Sequence, residues 1–388
     1  MSTAPSRLGA TPREGERVTP LELFFDLVFV LAITQCTALM AHHPTWSGLV
    51  QGLLVLGMLW WAWTGYSWLT SVLDPEEGAV RLVMFGAMAA LLLVSLCVPE
   101  AFGSLALAFA LIYGAVRAAH IALFVLASPD DDGLRHSVLG LAASTAVAVA
   151  LLAAASLFDG LAQGALWALA LLLDMGGPYF FGAEGWKLVP EHFAERHGLI
   201  VIIALGESIV AIGVGAAHEL SLGIGTAAVL GVALTAAMWW IYFDVVAIVS
   251  GRRLAEAEPG RVQNEMARDS YSYLHLVMVA GIVLVALGLK TTIGHVDDHL
   301  HAVPAFALLG GIAVYLLGHV AFRYRHVHTI NRQRLLLAIV LLILVPVATE
   351  VPALLALTVA NALLWAMIAY ETRLYGEGRH QVRRPQSA

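Results

Sequence analysis

The residues best suited to chemistry in this sequence are carboxylates that lie inside long apolar stretches. Glu22 and Asp26 fall within the run 20–40, and Glu207 and Asp244 fall within two later runs. Glu22 and Asp26 are four residues apart, which places both on one face of a helix. An ionisable group within a membrane span is unfavourable and is by default a candidate functional group. A carboxylate in that setting can bind a cation or carry a proton.

The composition identifies the elements that must hold these carboxylates. Of 388 residues, 60% are hydrophobic and only 13% are charged, whereas a soluble domain has about 25% charged residues. The sequence therefore predicts an all-α polytopic membrane protein whose main partner is the lipid bilayer. No basic run typical of nucleic-acid binding occurs. Cys36 and Cys97 both lie in apolar runs, so we expect two buried free thiols rather than a disulfide or zinc framework.

Hydropathy predicts about twelve transmembrane helices, each close to the length that a bilayer core requires. They cover residues 20–41, 47–72, 79–98, 104–127, 136–157, 160–176, 196–217, 221–250, 270–291, 303–324, 333–348 and 351–371. Nearly all Lys and Arg residues fall on one side of this arrangement, which by the positive-inside rule places both termini in the cytoplasm. The tails 1–19 and 372–388 and the linker 177–195 are thus predicted to be cytoplasmic.

The linker separates two stretches, 20–176 and 196–371, that resemble each other. Trp60 and Trp61 match Trp239 and Trp240 in their local sequence, and three further motifs match in the same order. One of them sets Tyr113 and Arg117 against Tyr315 and His319. We therefore predict two six-helix repeats. Since six is even, the repeats are parallel, and transporters with this organisation bind substrate near the midplane between the repeats.

Two alignments of the seventh span with the first are open. One sets Arg17 against Arg196, and the other sets Glu22 against Glu195. In either case, each half begins with polar groups at the cytoplasmic edge and has a carboxylate further along.

Glu207 is the strongest candidate for an interior functional carboxylate. If the seventh helix begins near Glu195, Glu207 lies roughly 18 Å along its axis and near the midplane. Ser208 adds a hydroxyl group, and Gly206, with Gly213 and Gly215, is expected to let another backbone approach closely. The alternative is a carboxyl group that pairs with an arginine and stabilises helix packing.

Asp26 is predicted to lie closer to the cytoplasmic edge than Glu207. It is either part of a gate or ion site, or a structural carboxylate neutralised by Arg81 or Arg117. Glu22 follows a proline at the helix start and also fits the role of a first-turn acid that complements the helix dipole.

Further polar residues within the predicted spans are expected to face the bundle interior and to pair with one another. They are Arg81, Arg117, His120, His275 and His319. A histidine can relay protons, although a structural, hydrogen-bonded role is the alternative for each. Asp174 ends the sixth predicted span, so Asp244 is the better interior acid. The tryptophans are expected to pack rather than to bind a ligand.

Two motifs resemble those of the bacterial low temperature requirement protein A family. The first is Glu22-Leu-Phe-Phe25-Asp26-Leu-Val-Phe-Val30. The second is Glu195-Arg196-His197-Gly198 together with Ala204-Leu-Gly206-Glu207-Ser208. The length and the number of spans fit as well. The resemblance implies a multi-pass protein of the bacterial inner membrane and no defined reaction.

The sequence thus favours a transporter or channel for a small solute or ion. Glu207, Asp26, Ser208 and Asp244 would line its pathway, together with Arg81, Arg117, His275 and His319. The alternative is a membrane scaffold, or an enzyme that acts on lipid. The sequence predicts no cofactor and no metal, and it allows a homo-oligomer.

Overall fold

The computed structural model describes residues 17–76, 78–127, 132–180, 186–216 and 221–374. The α-helices are, in chain order, α1 (Pro20–His42), α2 (Trp46–Thr70), α3 (Gly78–Cys97), α4 (Ala106–Ala127), α5 (Asp132–Ala155), α6 (Gly160–Phe180), α7 (Pro190–Gly215), α8 (Leu222–Phe243), α9 (Val246–Glu256), α10 (Arg261–Ala267), α11 (His275–Gly294), α12 (Ala302–Ala305), α13 (Gly311–Val327), α14 (Arg332–Ala348) and α15 (Ala353–Leu374). Segments of π-helix, Arg268–Leu274 and Phe306–Gly310, join α10 to α11 and α12 to α13. The described residues contain no strand, which confirms the all-α class.

Eleven helical segments within the described residues are long and apolar enough to cross a membrane. They include the joined segments Leu222–Glu256, Arg261–Gly294 and Ala302–Val327. A polytopic membrane protein is therefore confirmed, but the predicted count of twelve is not. The remaining predicted span, 333–348, is the helix α14, which has 17 residues and falls just short of a typical spanning length.

Several helix boundaries differ from those predicted. Most of the described residues of the linker 177–195 are helical, because α6 continues to Phe180 and α7 begins at Pro190. The span predicted at 221–250 is interrupted between Phe243 and Val246. The tails, up to residue 16 and from 375, lie outside the described residues, as does 181–185 of the linker.

Local sequence signals explain several helix starts. Thr19 caps α1: its hydroxyl accepts from the Glu22 backbone N–H, and the Glu22 side chain accepts from the Thr19 backbone N–H. Ser221 and Asn331 cap α8 and α14 through their side-chain oxygens. Such caps satisfy backbone donors that would otherwise lack partners at the first turn.

Contacts divide the chain into two compact units, which we describe separately. The first unit holds the described residues up to His43, together with Ser47–Arg196 and Ala257–Arg268. In this unit α3 packs against α1 and α4, and α5 packs against α4 and α6. The C-terminal half of α2 is buried throughout, including its tryptophans. Cys36 and Cys97 are buried and form no disulfide, as predicted.

The second unit holds Pro44–Trp46, His197–Glu256 and the described residues from Asp269 onward. Here α11 packs against α13 and α8, while α15 packs against α8 and α14. The contact between α11 and α13 is closest at glycines. A Cβ atom added at Gly281 would lie 2.6 Å from the backbone nitrogen of Tyr315, so the two helix backbones meet there without an intervening side chain.

Candidate functional site

Four fully buried ionisable side chains meet in the first unit. We call this group the Arg196 cluster: Glu22, Asp26, His192 and Arg196, each with 0% exposure. Arg196 donates to Glu22 Oε1 over 3.2 Å and to Asp26 Oδ1 over 3.0 Å. The His192 Nε2 atom lies 2.9 Å from Glu22 Oε1. The structure therefore joins both acids of the first motif to the arginine of the second.

Neighbouring groups fix the orientation of the cluster. Arg196 also donates to the Thr70 hydroxyl and to the Tyr66 carbonyl oxygen, and its guanidinium lies 5.7 Å from the ring centre of Phe25. The indole N–H of Trp63 donates to Asp26 Oδ1 over 2.8 Å. These contacts hold the arginine between the two carboxylates and leave little freedom for it to turn away.

The cluster forms because two helices present residues at a spacing of four. Glu22 and Asp26 occupy one face of α1, and His192 and Arg196 occupy one face of α7. The sequence placed Arg196 at the edge of its span, whereas α7 begins six residues earlier, at Pro190. Arg196 is consequently inside the helix. His192, which the sequence analysis assigned to the linker, becomes part of the site.

The second carboxylate oxygen of Asp26, Oδ2, is deeply buried and differs from Oδ1 in its hydrogen bonding. Asp26 Oδ2 has no hydrogen-bond partner among the described residues. Buried polar atoms normally have a partner, and a buried charge without compensation is strongly unfavourable. With His192 neutral, the charged groups of the cluster are two carboxylates and one arginine. A proton or a cation at Asp26 Oδ2 would satisfy both the atom and the charge balance.

The structure does not place Arg81 or Arg117 beside Asp26. Arg81 is exposed, and its guanidinium donates to the backbone carbonyl of Glu76. Arg117 is buried and pairs with Asp174, with 3.0 Å between Nη2 and Oδ1. Arg196 takes the role that the sequence analysis gave to those two arginines.

Asp174 belongs to a second buried polar group in the first unit. Its Oδ2 accepts from the Tyr113 hydroxyl over 2.7 Å, and its Oδ1 accepts from Thr145 over 2.6 Å. Asp174 has 0% exposure and lies inside α6, so the assumption that it ends a span was wrong. This group contains one carboxylate and one arginine and is matched in charge.

Glu207 and Ser208, which belong to the second unit, are buried side chains. Glu207 is 3% exposed and Ser208 is fully buried, whereas the next two residues are exposed. The Ser208 hydroxyl has no hydrogen-bond partner among the described residues. Because α7 begins at Pro190, Glu207 lies about 26 Å along its axis, deeper than the predicted 18 Å.

Of the three glycines near Glu207 that were predicted to allow a close backbone approach, two do not. A Cβ atom added at Gly206 or Gly213 would meet nothing within 4 Å, so neither allows a close approach of another backbone. Gly215 does, because its added Cβ atom would lie 2.9 Å from the Lys290 carbonyl oxygen. Asp244, the preferred second acid, is 6% exposed and caps the end of α8.

Histidines and tyrosines form a third buried group, in the second unit. His275 Nδ1 lies 3.0 Å from the Ser270 carbonyl oxygen, and its Nε2 lies 2.8 Å from the Tyr242 hydroxyl. The carbonyl can only accept, so Nδ1 carries the proton and Tyr242 donates to Nε2. The His197 ring centre lies 5.3 Å from that of His275.

The second unit also contains an arginine–carboxylate pair that the sequence did not predict. Arg334 Nε and Nη2 donate to the two oxygens of Glu371 over 3.1 and 3.0 Å. Both residues are buried, and they connect the start of α14 to the end of α15. Both lie at the margins of predicted spans, where a charged residue ordinarily indicates the membrane surface. Their opposite charges were therefore the only indication in the sequence that the two residues could pair.

Glu195 and Gly198 of the second motif make contacts outside the Arg196 cluster. Glu195 is exposed and accepts the backbone N–H of Val18 over 3.1 Å. Gly198 is buried, and a Cβ atom there would make ordinary contact with Phe243 at 3.5 Å. Arg196 is thus the residue of the second motif for which a contact with the acids of the first motif is observed.

Comparisons with known proteins support the family resemblance of the two motifs. The sequence model described as "Bacterial low temperature requirement A protein (LtrA)" matches residues 17–369. An uncharacterized protein of Rhizobium meliloti (strain 1021) is 31% identical over 312 residues, which cover 76% of this chain and 75% of the relative. No solved structure matches the chain. The chain belongs to the bacterial low temperature requirement A family.

Proposed function

We propose that the protein is a transporter or channel for a small solute or ion, and that buried carboxylates form part of its pathway. The observation that carries the proposal is the surplus carboxylate of the Arg196 cluster. One arginine lies between Glu22 and Asp26, and Asp26 Oδ2 has no hydrogen-bond partner among the described residues. A membrane protein tolerates such an imbalance when a proton or cation occupies the site during its working cycle.

The contrast with the two other arginine–carboxylate pairs supports a functional role. Arg117 with Asp174, and Arg334 with Glu371, each combine one positive and one negative charge. Such pairs suit a structural role, because neither partner leaves an uncompensated charge. A scaffold would need only pairs of this kind, and the Arg196 cluster differs from them in its second acid.

The proposed repeat organisation, 20–176 and 196–371, agrees with this assignment. Each proposed repeat has a buried arginine–carboxylate pair whose acid lies towards the C-terminal end of the last helix of that repeat, Asp174 in α6 and Glu371 in α15. Along the sequence, Asp174 and Glu371 are as far apart, to within one residue, as Trp167 and Trp365. These two tryptophans also match between the two halves in their local sequence. Parallel repeats are a common architecture of membrane transporters. We place the protein in the bacterial inner membrane with both termini cytoplasmic.

Ion flux in proteoliposomes tests the proposal. Asp26→Asn removes the surplus charge but keeps a side chain that can accept from Arg196 and Trp63. We expect the variant to fold with unimpaired thermal stability, because its remaining Glu22–Arg196 pair is matched in charge. Under an imposed proton, sodium or potassium gradient, we expect wild-type flux and at least a tenfold loss in the variant.

Two further variants make the assay specific. Glu207→Gln tests the buried acid of α7, and we expect it to lower flux as well. Asp297→Asn, on an exposed loop, is the matched control and should transport like wild type. Equal flux in wild type and Asp26→Asn would remove Asp26 from the pathway. A lack of flux for wild type under every gradient would instead favour a membrane scaffold or a lipid-directed enzyme.

A further inference from the structure

The second unit contains a cavity of about 470 Å³ between α9, α13 and α14 and the end of α15. One part of its wall is apolar and consists mainly of Val245, Val246, Val249 and Phe322. The other part is polar and includes arginine and histidine side chains. Small-molecule sites in proteins typically have volumes of about 300–1,000 Å³ and this combination of an apolar wall with a few polar groups.

Two histidines that line the cavity have unused hydrogen-bonding capacity. His319 is 1% exposed and His326 is 7% exposed. Neither ring nitrogen of either residue has a hydrogen-bond partner among the described residues. Every imidazole carries at least one N–H donor, and a buried donor without a partner is destabilising. A ligand that accepts hydrogen bonds would remove this penalty.

The charges of the lining determine which kind of ligand fits. Arg334 is held by Glu371, and Asn331 donates to the same carboxylate over 2.8 Å, so the acid is already engaged. Arg323, which also lines the cavity, donates through Nε to the Thr329 hydroxyl over 3.0 Å. The described residues of the lining therefore contain two arginines and one carboxylate. An anion is favoured there, and a cation is disfavoured.

We propose that this cavity binds a small amphipathic molecule that carries one oxyanion group, either phosphate or carboxylate. The guanidinium of Arg323 and the imidazoles of His319 and His326 bind the oxyanion. The valines and Phe322 contact the apolar part. Guanidinium groups match the geometry of both oxyanions. The site is independent of the Arg196 cluster, and the predicted orientation places it at the cytoplasmic end of the second unit.

Binding of short-chain probes to the full-length protein in an uncharged detergent tests the proposal. The probes are hexyl phosphate, hexanoate and hexylammonium, with inorganic phosphate as a probe that lacks the apolar part. The variants are Arg323→Gln and His319→Phe. Arg332→Gln is the matched control, because it removes an exposed charge near the same turn from a residue that does not line the cavity. Affinity is measured by isothermal titration calorimetry and checked by the shift in Tm.

We expect hexyl phosphate or hexanoate to bind wild type and Arg332→Gln with equal affinity, and Arg323→Gln and His319→Phe at least tenfold more weakly. Since Arg323 is exposed, its variant keeps the test valid even if His319→Phe fails to fold. Binding of hexylammonium as tight as that of the anions would overturn the proposal. So would equal affinity of wild type and Arg323→Gln, or no binding of any anionic probe.

The source of the oxyanion is distinguished by competition in nanodiscs. If discs of phosphatidylglycerol weaken hexyl phosphate binding relative to discs of phosphatidylcholine, a lipid headgroup occupies the site. If the two lipids give the same affinity, the ligand is a soluble molecule. Both results support the oxyanion site, because both require hexyl phosphate to bind.

Discussion

At the scale of single residues, the buried charges of this protein differ in how completely they are compensated. Asp174 has Arg117, Tyr113 and Thr145 around it, and its two oxygens are both engaged. Asp26 has one engaged oxygen and one without a partner among the described residues. We therefore expect substitutions at these two acids to have opposite profiles, with stability affected at Asp174 and transport at Asp26.

The Arg117–Asp174 pair provides the stability prediction. Asp174→Asn leaves a buried arginine without a counter-charge, which should lower the free energy of unfolding by about 3–5 kcal/mol. Tyr113→Phe removes one of several hydrogen bonds and should lower it by about 1 kcal/mol. Thermal and denaturant unfolding in detergent, followed by tryptophan fluorescence, measures both. The double variant Arg117→Met/Asp174→Leu should recover most of the loss, and equal destabilisation by the single and double variants would argue against a charge effect.

The hydrogen bonds of His275 predict its tautomer. Its Nδ1 must donate to the Ser270 carbonyl oxygen, so Nε2 accepts from Tyr242. ¹⁵N NMR of protein labelled at histidine should show a protonated Nδ1 and an unprotonated Nε2 for this residue, assigned by comparison with His275→Gln. In Tyr242→Phe the Nε2 atom loses its donor, and we expect stability to fall by about 1–3 kcal/mol. An Nε2-protonated signal would contradict the assigned direction of both hydrogen bonds.

At the scale of helices, glycines determine how closely α11 and α13 approach. An added Cβ atom would lie 2.6 Å from the Tyr315 nitrogen at Gly281 and 2.8 Å from the Val285 nitrogen at Gly311. In both positions the obstacle is the backbone of the other helix, which cannot move without shifting the helix itself. Gly206 in α7 is different, because a Cβ atom added there would meet no atom within 4 Å.

Alanine substitutions at these glycines should therefore have opposite effects. Gly281→Ala forces the backbones of α11 and α13 apart and should destabilise the protein by about 1–3 kcal/mol, as overpacking of a dense core does. Gly206→Ala meets no atom and should be neutral or stabilising by up to about 1 kcal/mol, because alanine favours helix. Tm measurements in detergent distinguish the two. A Gly281→Ala variant as stable as wild type would show that the backbones of α11 and α13 do not approach so closely at Gly281.

The positions of helices were predictable because hydropathy is a local property, whereas the partners of buried charges were not. Asp26 and Arg196 are 170 residues apart, and no local pattern selects Arg196 over Arg81 or Arg117 as the partner. The polar run around His192 and Arg196 resembled a loop because its charges are neutralised only in three dimensions. Pro190 was the available signal for an earlier helix start, since proline is favoured in the first turn.

At the scale of the whole chain, the membrane topology depends on whether α14 crosses the bilayer. Its first turn is fixed beside the end of α15 by Arg334 and Glu371. Beyond its other end, Pro352 pairs with His299, and the Ala353 backbone N–H donates to the Asp298 carbonyl oxygen, just past the end of α11. The connections on both sides of α14 are short, which is typical of antiparallel neighbours. Within the second unit α14 thus runs alongside α15 in the opposite direction.

This arrangement leads us to expect that α14 is a twelfth crossing despite its 17 residues, which span about 25 Å. With twelve crossings both termini lie on the same side, whereas eleven would place them on opposite sides. Single cysteines at Ser2, Ser387 and Asp297, introduced into a Cys36→Ala/Cys97→Ala background, can be labelled with an impermeant maleimide. In intact cells, Asp297→Cys should react, because its loop lies at the end of α11 away from the Arg334–Glu371 pair. Ser2→Cys and Ser387→Cys should both react only after permeabilisation, and labelling of just one of them in intact cells would show that α14 does not cross.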